Sequence, residues 1–249
     1  TSAVFAYMYT QKQQLPSVLA DVSQEEWTIQ NNSTSHEMRL VLPDSSRITL
    51  KPDAIVGYPK AFNGSDRLVK LDGEAFFENE KDSKRPFKVI TGDITTRVLG
   101  TSFNVKAIDG QSIIEVDVRT GKVSVYDHND GDSVHTEGVV LTPNQKVTYY
   151  KKEKKWVAEL VRDPLPVVAV EESSALIFRD DHMRNVLDRI ASTYGIEIIV
   201  VNEAVYDCPF TGDVSNMELY DMLKLICKSI RSEYEVRGTR ILIDGAGCP

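Results

Sequence analysis

The stretch that decides the fold is Arg67–Val105, which reads RLVKLDGEAFFE, then a charged break, then FKVITGDITTRVLGTSFNV. Apolar residues recur in it at every second position, and that period is typical of half-buried β-strands. Arg67 and Lys70 are expected to be outward charges at the edges of the first strand. Gly92-Asp93 separates two of the runs, so a tight hairpin is predicted there. The pairs that share a face are Val69 with Leu71, Phe87 with Val89, and Phe103 with Val105.

Short strands of the same kind are predicted along most of the chain, after an entry strand at Trp27–Ile29. No helical pattern interrupts them, so the spacing indicates an all-β sandwich, barrel or solenoid-like coil. The basic cluster Lys151–Lys155 falls between two of them and is interpreted as a solvated hairpin tip. The predicted strands are Met38–Leu42, Arg47–Leu50, Ile55–Tyr58, Arg67–Leu71, Ala75–Glu78, Phe87–Thr91, Ile94–Leu99, Phe103–Ile108, Ser112–Val118, Lys122–Tyr126, Val139–Thr142, Lys146–Tyr150 and Trp156–Leu160.

The pattern changes after residues 163–172, a segment with two prolines that we interpret as a stiff linker. Two apolar stripes with helical spacing follow it, and Leu219 of the second stands 36 positions after Met183 of the first. Such an offset predicts a duplicated β-α-β unit with both helices on one face of a sheet. The stripes are Met183, Val186, Leu187, Ile190, Ala191 and Tyr194, and then Leu219, Met222, Leu223, Ile226, Cys227 and Ile230.

Helix ends and strands can be predicted in the same region. Asp180 or Asp181 is expected to cap the first helix and Gly195 to end it. Ser215 and Glu218 have the spacing of a capping box for the second helix. The strands predicted around these helices are Ala175–Phe178, Ile196–Val201, Pro209–Asp213, Glu233–Val236 and Arg240–Ile243.

Composition limits the classes of function. The chain has 249 residues, of which 41% are hydrophobic and 27% charged, so it is long enough for two modest domains or one large one. The net charge of −8 argues against a general binder of nucleic acid or of anionic membranes, because both need basic surface. No apolar run is long enough to span a membrane. Cys227 is predicted to be a buried apolar residue, whereas Cys208 and Cys248 can be either free or joined.

Residues that could do chemistry do not form a catalytic set. Glu74 and Glu78 would lie about 13 Å apart on a straight strand, which is too far for a glycosidase pair. His182 follows two acidic residues, but acidic residues at a helix start are common for electrostatic reasons. Neither a metal-ligand spacing nor a cofactor motif is present, so we predict a protein that is not an enzyme and carries no metal or cofactor.

Four motifs together resemble the core of the FecR family. They are LPDSSRITL (Leu42–Leu50), GEAFFE (Gly73–Glu78), PFKVIT (Pro86–Thr91) and VLGTSFNV (Val98–Val105), with Ser45 where the family usually has glycine. The resemblance implies a membrane-anchored anti-sigma regulator of Gram-negative cells, and it favours the solenoid-like form of the β-domain. The residues to which it gives structural roles are Gly73, Glu74, Phe76, Gly92, Gly100, Thr101, Phe103, Phe210 and Gly212.

The C-terminal part resembles the secretin and TonB N-terminal (STN) fold, with FTGD at Phe210–Asp213. The expected fold class is therefore α+β in two domains, a mainly-β domain of solenoid-like or sandwich form followed by a small STN-like βαβ-repeat domain. The expected division is an N-terminal juxtamembrane or entry segment at 1–35, the β-domain at 36–162, the linker at 163–172 and the STN-like domain at 173–249.

The resemblance also implies partners and a compartment. A region of this kind lies in the periplasm and binds the N-terminal signalling domain of a TonB-dependent outer-membrane transporter. It acts on an extracytoplasmic-function (ECF) sigma factor through a cytoplasmic part that, with an inner-membrane helix, is expected to precede this sequence. We expect docking at a free strand edge or sheet face of the STN-like domain. The candidate residues are Ile196, Ile198, Val200, Arg240, Ile241 and Ile243.

A second hypothesis is a periplasmic or surface module that binds glycans, because all-β domains often bind sugars through exposed aromatic side chains. Its candidate residues are Tyr58, Phe62, Tyr149, Tyr150 and Trp156. The alternative interpretation of these rings is that they are core or rim residues. Glycan binding should quench the fluorescence of Trp27 or Trp156, whereas signalling should require a protein partner.

Overall fold

The computed structural model of the protein describes residues 17–20, 26–127, 138–168 and 176–248. Most of the predicted N-terminal segment 1–35 and residues 169–172 of the predicted linker lie outside them. The N-terminal domain consists of strands whose bounds agree with the prediction within about two residues. They are β1 Trp27–Asn31, β2 Met38–Val41, β3 Arg47–Leu50, β4 Ile55–Pro59, β5 Arg67–Glu78, β6 Phe87–Thr91, β7 Ile94–Val98, β8 Ser102–Ala107, β9 Ile113–Thr120, β10 Val123–Asp127, β11 Val139–Leu141, β12 Gln145–Tyr150 and β13 Lys155–Leu160.

The strands form two sheets that share β5. Sheet A has the order β1-β4-β5-β6-β7-β10-β11, and sheet B has the order β2-β3-β5-β8-β9-β12-β13. The first half of β5 pairs in sheet A and the second half in sheet B. The change occurs at Gly73, whose φ is 103° and whose added Cβ would lie 2.7 Å from Ala54 Cα. The two strands predicted at Arg67–Leu71 and Ala75–Glu78 are therefore one strand that turns at a glycine.

The inner faces of both sheets contribute to one hydrophobic core. Phe77 stacks on Phe103 of sheet B with a centroid distance of 5.1 Å, and it lies 6.1 Å from Phe87 of sheet A. All strand pairs of this domain are antiparallel except β5 with β6. The mainly-β prediction is confirmed. Because a solenoid stacks its strands in parallel, this antiparallel pairing fits the sandwich alternative better than the solenoid-like one.

Arg67 was predicted to be an outward charge, and that prediction was wrong. Its side chain is only 1% exposed, and Nη1 lies 2.7 Å from Asp44 Oδ2. Lys70 does lie on the outer face of sheet A, with Nζ 5.9 Å from the centroid of the Trp27 ring. The 3₁₀ turn Ser17–Leu19 covers this end of the face, so Lys70 is largely buried as well.

The C-terminal domain contains two helices and five strands with the predicted alternation. The apolar stripes of both helices are buried, as their spacing predicted. The described strands form two small sheets, β14-β16 and β15-β18-β17, so the expectation of one sheet under both helices was wrong. The elements are β14 Ile177–His182, α1 Met183–Tyr194, β15 Glu197–Val200, the 3₁₀ helix Glu203–Asp207, β16 Pro209–Asp213, α2 Leu219–Ser229, β17 Ser232–Arg237 and β18 Arg240–Gly245.

The helix starts differ from the predicted caps. His182 and Glu218 occupy the N-cap positions, and neither side chain caps the helix. Asp181 instead accepts a hydrogen bond from the Arg179 backbone, and the Ser215 hydroxyl donates to Asp213. The predicted end of α1 is confirmed, because the residue after Tyr194 is a glycine in the left-handed conformation.

A strained turn gives a first testable prediction. Ser45 lies between β2 and β3 with φ 70°, a conformation that suits glycine and costs other residues about 1–2 kcal/mol. We expect Ser45→Gly to raise the free energy of unfolding by about 1 kcal/mol in urea titrations, part of the gain being lost to unfolded-chain entropy. Ser35→Gly, at an exposed position without positive φ, is the control, and a loss of stability in Ser45→Gly would contradict the explanation.

The turn between β11 and β12 fixes the C-terminal domain against the sandwich. Asn144 in this turn is 2% exposed, and its Nδ2 donates to the carbonyl oxygens of Leu165, at 2.9 Å, and Tyr194, at 2.6 Å. Its Oδ1 accepts from the Leu165 amide at 2.9 Å. One side chain thus binds both the segment that leaves the β-domain and the end of α1.

Removing the Asn144 side chain should make the orientation of the two domains relative to each other more variable. Asn144 has φ 62°, so Asn144→Gly deletes the amide without adding backbone strain. Because three hydrogen bonds of about 1 kcal/mol each disappear, we expect a broader distance distribution between spin labels at Lys84 and Lys224. Asp53→Gly, also at positive φ but away from the junction, is the matched control. An unchanged distribution in Asn144→Gly would show that other contacts set the domain orientation.

Candidate protein-binding surfaces

The predicted docking residues lie on β18, on β15 or, for Ile196, directly before β15. Of these two strands, β15 alone has a side that no described strand pairs with. β18 is the central strand of its sheet and pairs with β15 in parallel and with β17 in antiparallel orientation. The prediction that Arg240–Ile243 offers a free edge was therefore wrong, since both sides of β18 are already hydrogen-bonded. Sequence order alone could not show this, because β18 follows β17 in the chain but lies between β17 and β15.

The apolar side chains predicted for docking point into the domain core. Ile241 and Ile243 are fully buried, Ile196 and Val200 nearly so, and Ile198 is partly buried against the same core. These side chains stabilise the domain and are not available to a partner. The part of the predicted site that remains accessible is the backbone of β15.

The free edge of β15 presents unpaired backbone groups. Within the described chain no strand pairs with the side of β15 that faces away from β18. The Val201 amide donates to the Ile243 carbonyl on the β18 side. Because alternate residues of a strand direct their backbone groups to opposite sides, those of Ile198 and Val200 face outward. An extended segment of a partner could add to the sheet there.

The outer face of the same sheet carries an apolar centre that the sequence analysis missed. Ile199 and Leu242 are directly paired neighbours, and both are partly exposed. The ion pair between Arg240 Nε and Glu197 Oε2, at 2.8 Å, borders them on one side. Val201, 58% exposed, continues the apolar surface at the edge. The alternation of outward and inward residues in IEIIVV was the signal that could have identified this face.

The family-motif residues divide between the core, the turns and a polar groove. Gly92 and Gly100 have positive φ at turns, Phe103 is in the core, and the buried Thr101 hydroxyl donates to the Lys122 carbonyl. Phe210 packs edge-on against Phe178, with Gly212 below its ring. In GEAFFE, Ala75 and Phe77 point into the sandwich, whereas Glu74 and Phe76 point outward.

These outward residues lie in a groove of about 880 Å³ on the outer face of sheet B, lined mainly by β2, β3, β5 and β8. Beside it the Asn104 amide donates to two carboxylates, Glu74 at 3.4 Å and Asp117 at 3.3 Å. Burial raises the pKa of Asp117, and the neighbouring charges of Glu74 and Glu115 raise it further, against the opposing effect of the Asn104 hydrogen bond. The outer face of sheet B therefore carries a network of charged side chains, in which Glu74, Glu115 and Lys146 affect the ionisation of Asp117.

This network predicts a pH-dependent stability. A carboxyl whose pKa is higher in the folded chain than in the unfolded chain stabilises the fold below the unfolded pKa. That contribution is lost as the pH rises through the folded pKa. We expect Asp117→Asn to be more stable than the parent protein at pH 7 and to differ little at pH 4, as measured by urea unfolding at both pH values. Glu78→Gln, an exposed carboxylate of the same sheet, is the control, and a difference that is independent of pH would contradict the mechanism.

The candidate chemical residues remain dispersed. Glu74 and Glu78 both lie on the second half of β5, four positions apart, and His182 is the N-cap residue of α1 in the other domain. Among the described residues no group of His, Cys, Asp and Glu has the arrangement of a metal site. No described helix is long and apolar enough to cross a membrane.

The aromatic residues of the glycan hypothesis mostly pack inside the sandwich. Tyr58, Phe62 and Tyr149 are buried, and Trp156 packs on Tyr149 with a centroid distance of 4.4 Å. Tyr150 is 38% exposed. One exposed ring does not form a sugar-stacking platform, so these positions give the glycan hypothesis no support.

The structure shows which of the three cysteines are joined and which is free. Cys208 and Cys248 form a disulfide across 40 positions of sequence, with their Cα atoms 5.4 Å apart. Cys227 is free and buried on α2, as predicted, and burial raises the pKa of its thiol to about 11. The basic cluster Lys151–Lys155 lies at the β12–β13 hairpin, which confirms the interpretation as a hairpin tip.

Comparison with known families shows to which family the chain belongs. The family model described as "FecR protein" matches residues 30–142, and the model "FecR, C-terminal" matches residues 175–243. The chain belongs to the FecR family. This family is regulatory and not enzymatic, so the chain is a regulator of the anti-sigma type. Because the C-terminal match is to the FecR model itself, the STN-like description of this domain stays a prediction.

Two solved structures are similar to this FecR-family chain. Both are crystal structures of "a putative anti-sigma factor from Parabacteroides distasonis ATCC 8503", each 27% identical in sequence with a TM-score of 0.49. The alignments cover 89% and 87% of this chain and 100% and 98% of those chains. None of the curated proteins matches the chain.

Proposed function

We propose that this chain is the periplasmic sensor region of a membrane-anchored anti-sigma regulator. In this proposal it binds the signalling domain of a TonB-dependent outer-membrane transporter and relays the signal to an ECF sigma factor. Family membership supports the regulatory role. The observation that carries the docking proposal is the free backbone edge of β15 beside the exposed apolar pair Ile199 and Leu242.

The proposed docking mode is strand addition at β15. A partner strand would hydrogen-bond to the outward backbone groups of Ile198 and Val200 and contact Ile199 and Val201 with its side chains. The Glu197–Arg240 pair, on the outer face of the sheet, would lie at the rim, where charges contribute more to association rate and specificity than to affinity.

Calorimetric titration tests the proposal directly. The fragment is titrated with the N-terminal signalling domain of the transporter encoded beside it, and saturable binding at micromolar strength or better is expected. Ile199→Lys should weaken binding at least about tenfold, because it places a charge in the apolar centre. Ile177→Lys, at an exposed apolar position on β14, is the matched control.

The role of the edge is tested by proline. Ile198→Pro removes an outward amide, and Ile198→Ala removes the same packing while keeping the amide. Loss of binding in the proline variant alone, with both variants folded, supports strand addition. Equal binding by the two would contradict this docking mode, and absence of any binding by the parent protein would contradict the proposed partner.

A further inference from the structure

The outer face of sheet A carries a small basic and apolar patch. It consists of Lys81, Arg97, Leu99, Lys122 and Val140, which border a shallow hollow of about 240 Å³, and we call it the Leu99 patch. Leu99 and Val140 are 43% and 57% exposed. Every charged residue that lines this hollow is basic, although the chain as a whole has a net charge of −8.

The fold gives the patch its composition. Outward positions on neighbouring strands bring Val140, Ser124 and Arg97 into one row across β11, β10 and β7. Leu99 follows β7, and its carbonyl accepts the Asp82 amide, which brings Lys81 close to it. The close approach is possible because Gly100 has no Cβ, since a Cβ there would lie 2.7 Å from Lys81 Cα.

No ion pair among the described residues neutralises the cations of the patch. In the part of the chain that the structure describes, Lys81, Arg97 and Lys122 take part in no ion pair. Asp82, the acidic residue next to Lys81, is engaged by the Arg85 guanidinium at 2.9 Å. Three free cations around two exposed aliphatic side chains therefore face solvent together.

We propose that the Leu99 patch rests on an anionic phospholipid surface. Long basic side chains reach lipid phosphates while the aliphatic residues between them enter the interfacial region. The hollow is shallow and its surface is mostly apolar with the cations around it, which suits a fluid lipid surface better than a specific peptide. Each Lys or Arg near an anionic leaflet strengthens binding about fivefold, so three give about a hundredfold.

The net negative charge of the protein does not prevent this contact. It argues against general binding to anionic membranes, but at physiological ionic strength charges farther than about 8 Å from the surface are largely screened. An acidic face of the protein would be repelled only when it approaches the lipid closely. The molecule would therefore orient with the Leu99 patch toward the lipid. A contact of this modest strength needs a tether, which the membrane anchor in the proposed function supplies, and the inference rests on it in this respect.

A tethered-vesicle experiment tests the contact without the transporter. The chain with an N-terminal hexahistidine tag is bound to vesicles of phosphatidylcholine with nickel-chelating lipid, with or without about one-third phosphatidylglycerol. We expect hydrogen exchange of 97–101 and 139–141 to slow about twofold or more on the anionic vesicles alone. The protection should disappear at high salt and in the variant Lys81→Gln/Arg97→Gln/Lys122→Gln.

A charge-matched control separates the patch from general electrostatics. Lys152→Gln/Lys154→Gln/Lys155→Gln removes the same charge from the exposed β12–β13 hairpin and should leave the protection unchanged. Equal loss in both triple variants, or equal protection on neutral vesicles, would overturn the proposal. So would patch-dependent binding of a polyglutamate peptide without any vesicle protection, which would assign the patch to an acidic protein. Titration with the transporter domain, expected to be unaffected by either triple variant, tests the proposed function separately.

Discussion

Replacing Arg67 by methionine should destabilise the β-domain by about 3–5 kcal/mol, because it leaves a buried carboxylate without its partner. The side chains of Arg67 and Asp44 are 1% and 7% exposed, so neither can turn to water for compensation. Methionine has a similar length and no charge, which limits the packing change. Urea unfolding of the protein measures the effect.

The expected size follows from the network around the guanidinium. Arg67 Nη1 also donates to the Glu80 carbonyl at 3.0 Å, and Nε donates to the Arg85 carbonyl at 3.0 Å. Asp44 accepts from the amide and hydroxyl of Ser46, whose hydroxyl in turn accepts from the Glu80 amide. The β2–β3 turn, the start of β5 and the segment before β6 therefore depend on one ion pair.

Two further variants separate the ion pair from its surroundings. Asp44→Asn in the Arg67→Met background removes the unpaired charge and should recover part of the lost stability. Lys51→Met breaks the exposed pair with Glu37 and should have a much smaller effect, since solvent screens it. A loss in Arg67→Met no larger than that in Lys51→Met would contradict a structural role for the buried pair.

Most of the β-domain could be predicted because its strands obey local rules. Alternating apolar residues set the faces of β6, β7 and β8, and glycines at positive φ mark the turns between them. The same holds for the two helices, whose stripes are buried at the expected positions. Such features depend on neighbouring residues and can be read without knowing the tertiary structure.

What the sequence did not show depends on distant contacts. The period of two places Arg67 on the same inward face as Val69 and Leu71, but a charged side chain alone predicts an outward position. Arg67 points inward because Asp44, which is distant in sequence, neutralises its charge. The central position of β18 follows from pairing with β15, whose residues precede their partners by 43 positions, and no local pattern shows this pairing. The free edge expected on β18 was wrong for that reason, whereas docking at β15 stays a prediction.

The β-domain motifs combine these local and distant roles. Asp44 of LPDSS accepts from buried Arg67, and Ala75 and Phe77 of GEAFFE fill the core while Glu74 joins the charge network of sheet B. The motifs therefore account for much of the sandwich. The surface proposed for the partner, on β15, lies outside all four motifs, whereas the hollow of the Leu99 patch is lined by Leu99 and Gly100 of VLGTSFNV. A regulator built this way could vary its partner while keeping its fold.

Removal of the Cys208–Cys248 disulfide should destabilise the C-terminal domain by about 4 kcal/mol, within a range of 2–5, through the entropy of the chain segment it closes. The segment contains β16, α2, β17 and β18, which are about half of this domain. Cys208→Ala/Cys248→Ala, unfolded in urea and followed by the exchange of α2 amides, measures the loss. The β-domain transition should not change, since the disulfide lies outside it.

Reduction and alkylation can test the same disulfide without mutation, because the free thiol of Cys227 is buried and does not interfere. Burial holds the pKa of Cys227 at about 11, so at pH 8 this thiol remains protonated and slow to react with iodoacetamide. Reduction followed by alkylation should therefore modify the exposed Cys248 first, which prevents the disulfide from re-forming and reproduces the loss seen in the double alanine variant. If reduction left the C-terminal transition unchanged, the disulfide would not be a stabilising element. A large loss would fit an oxidising compartment, where such a bond persists, and would support the proposed periplasmic location.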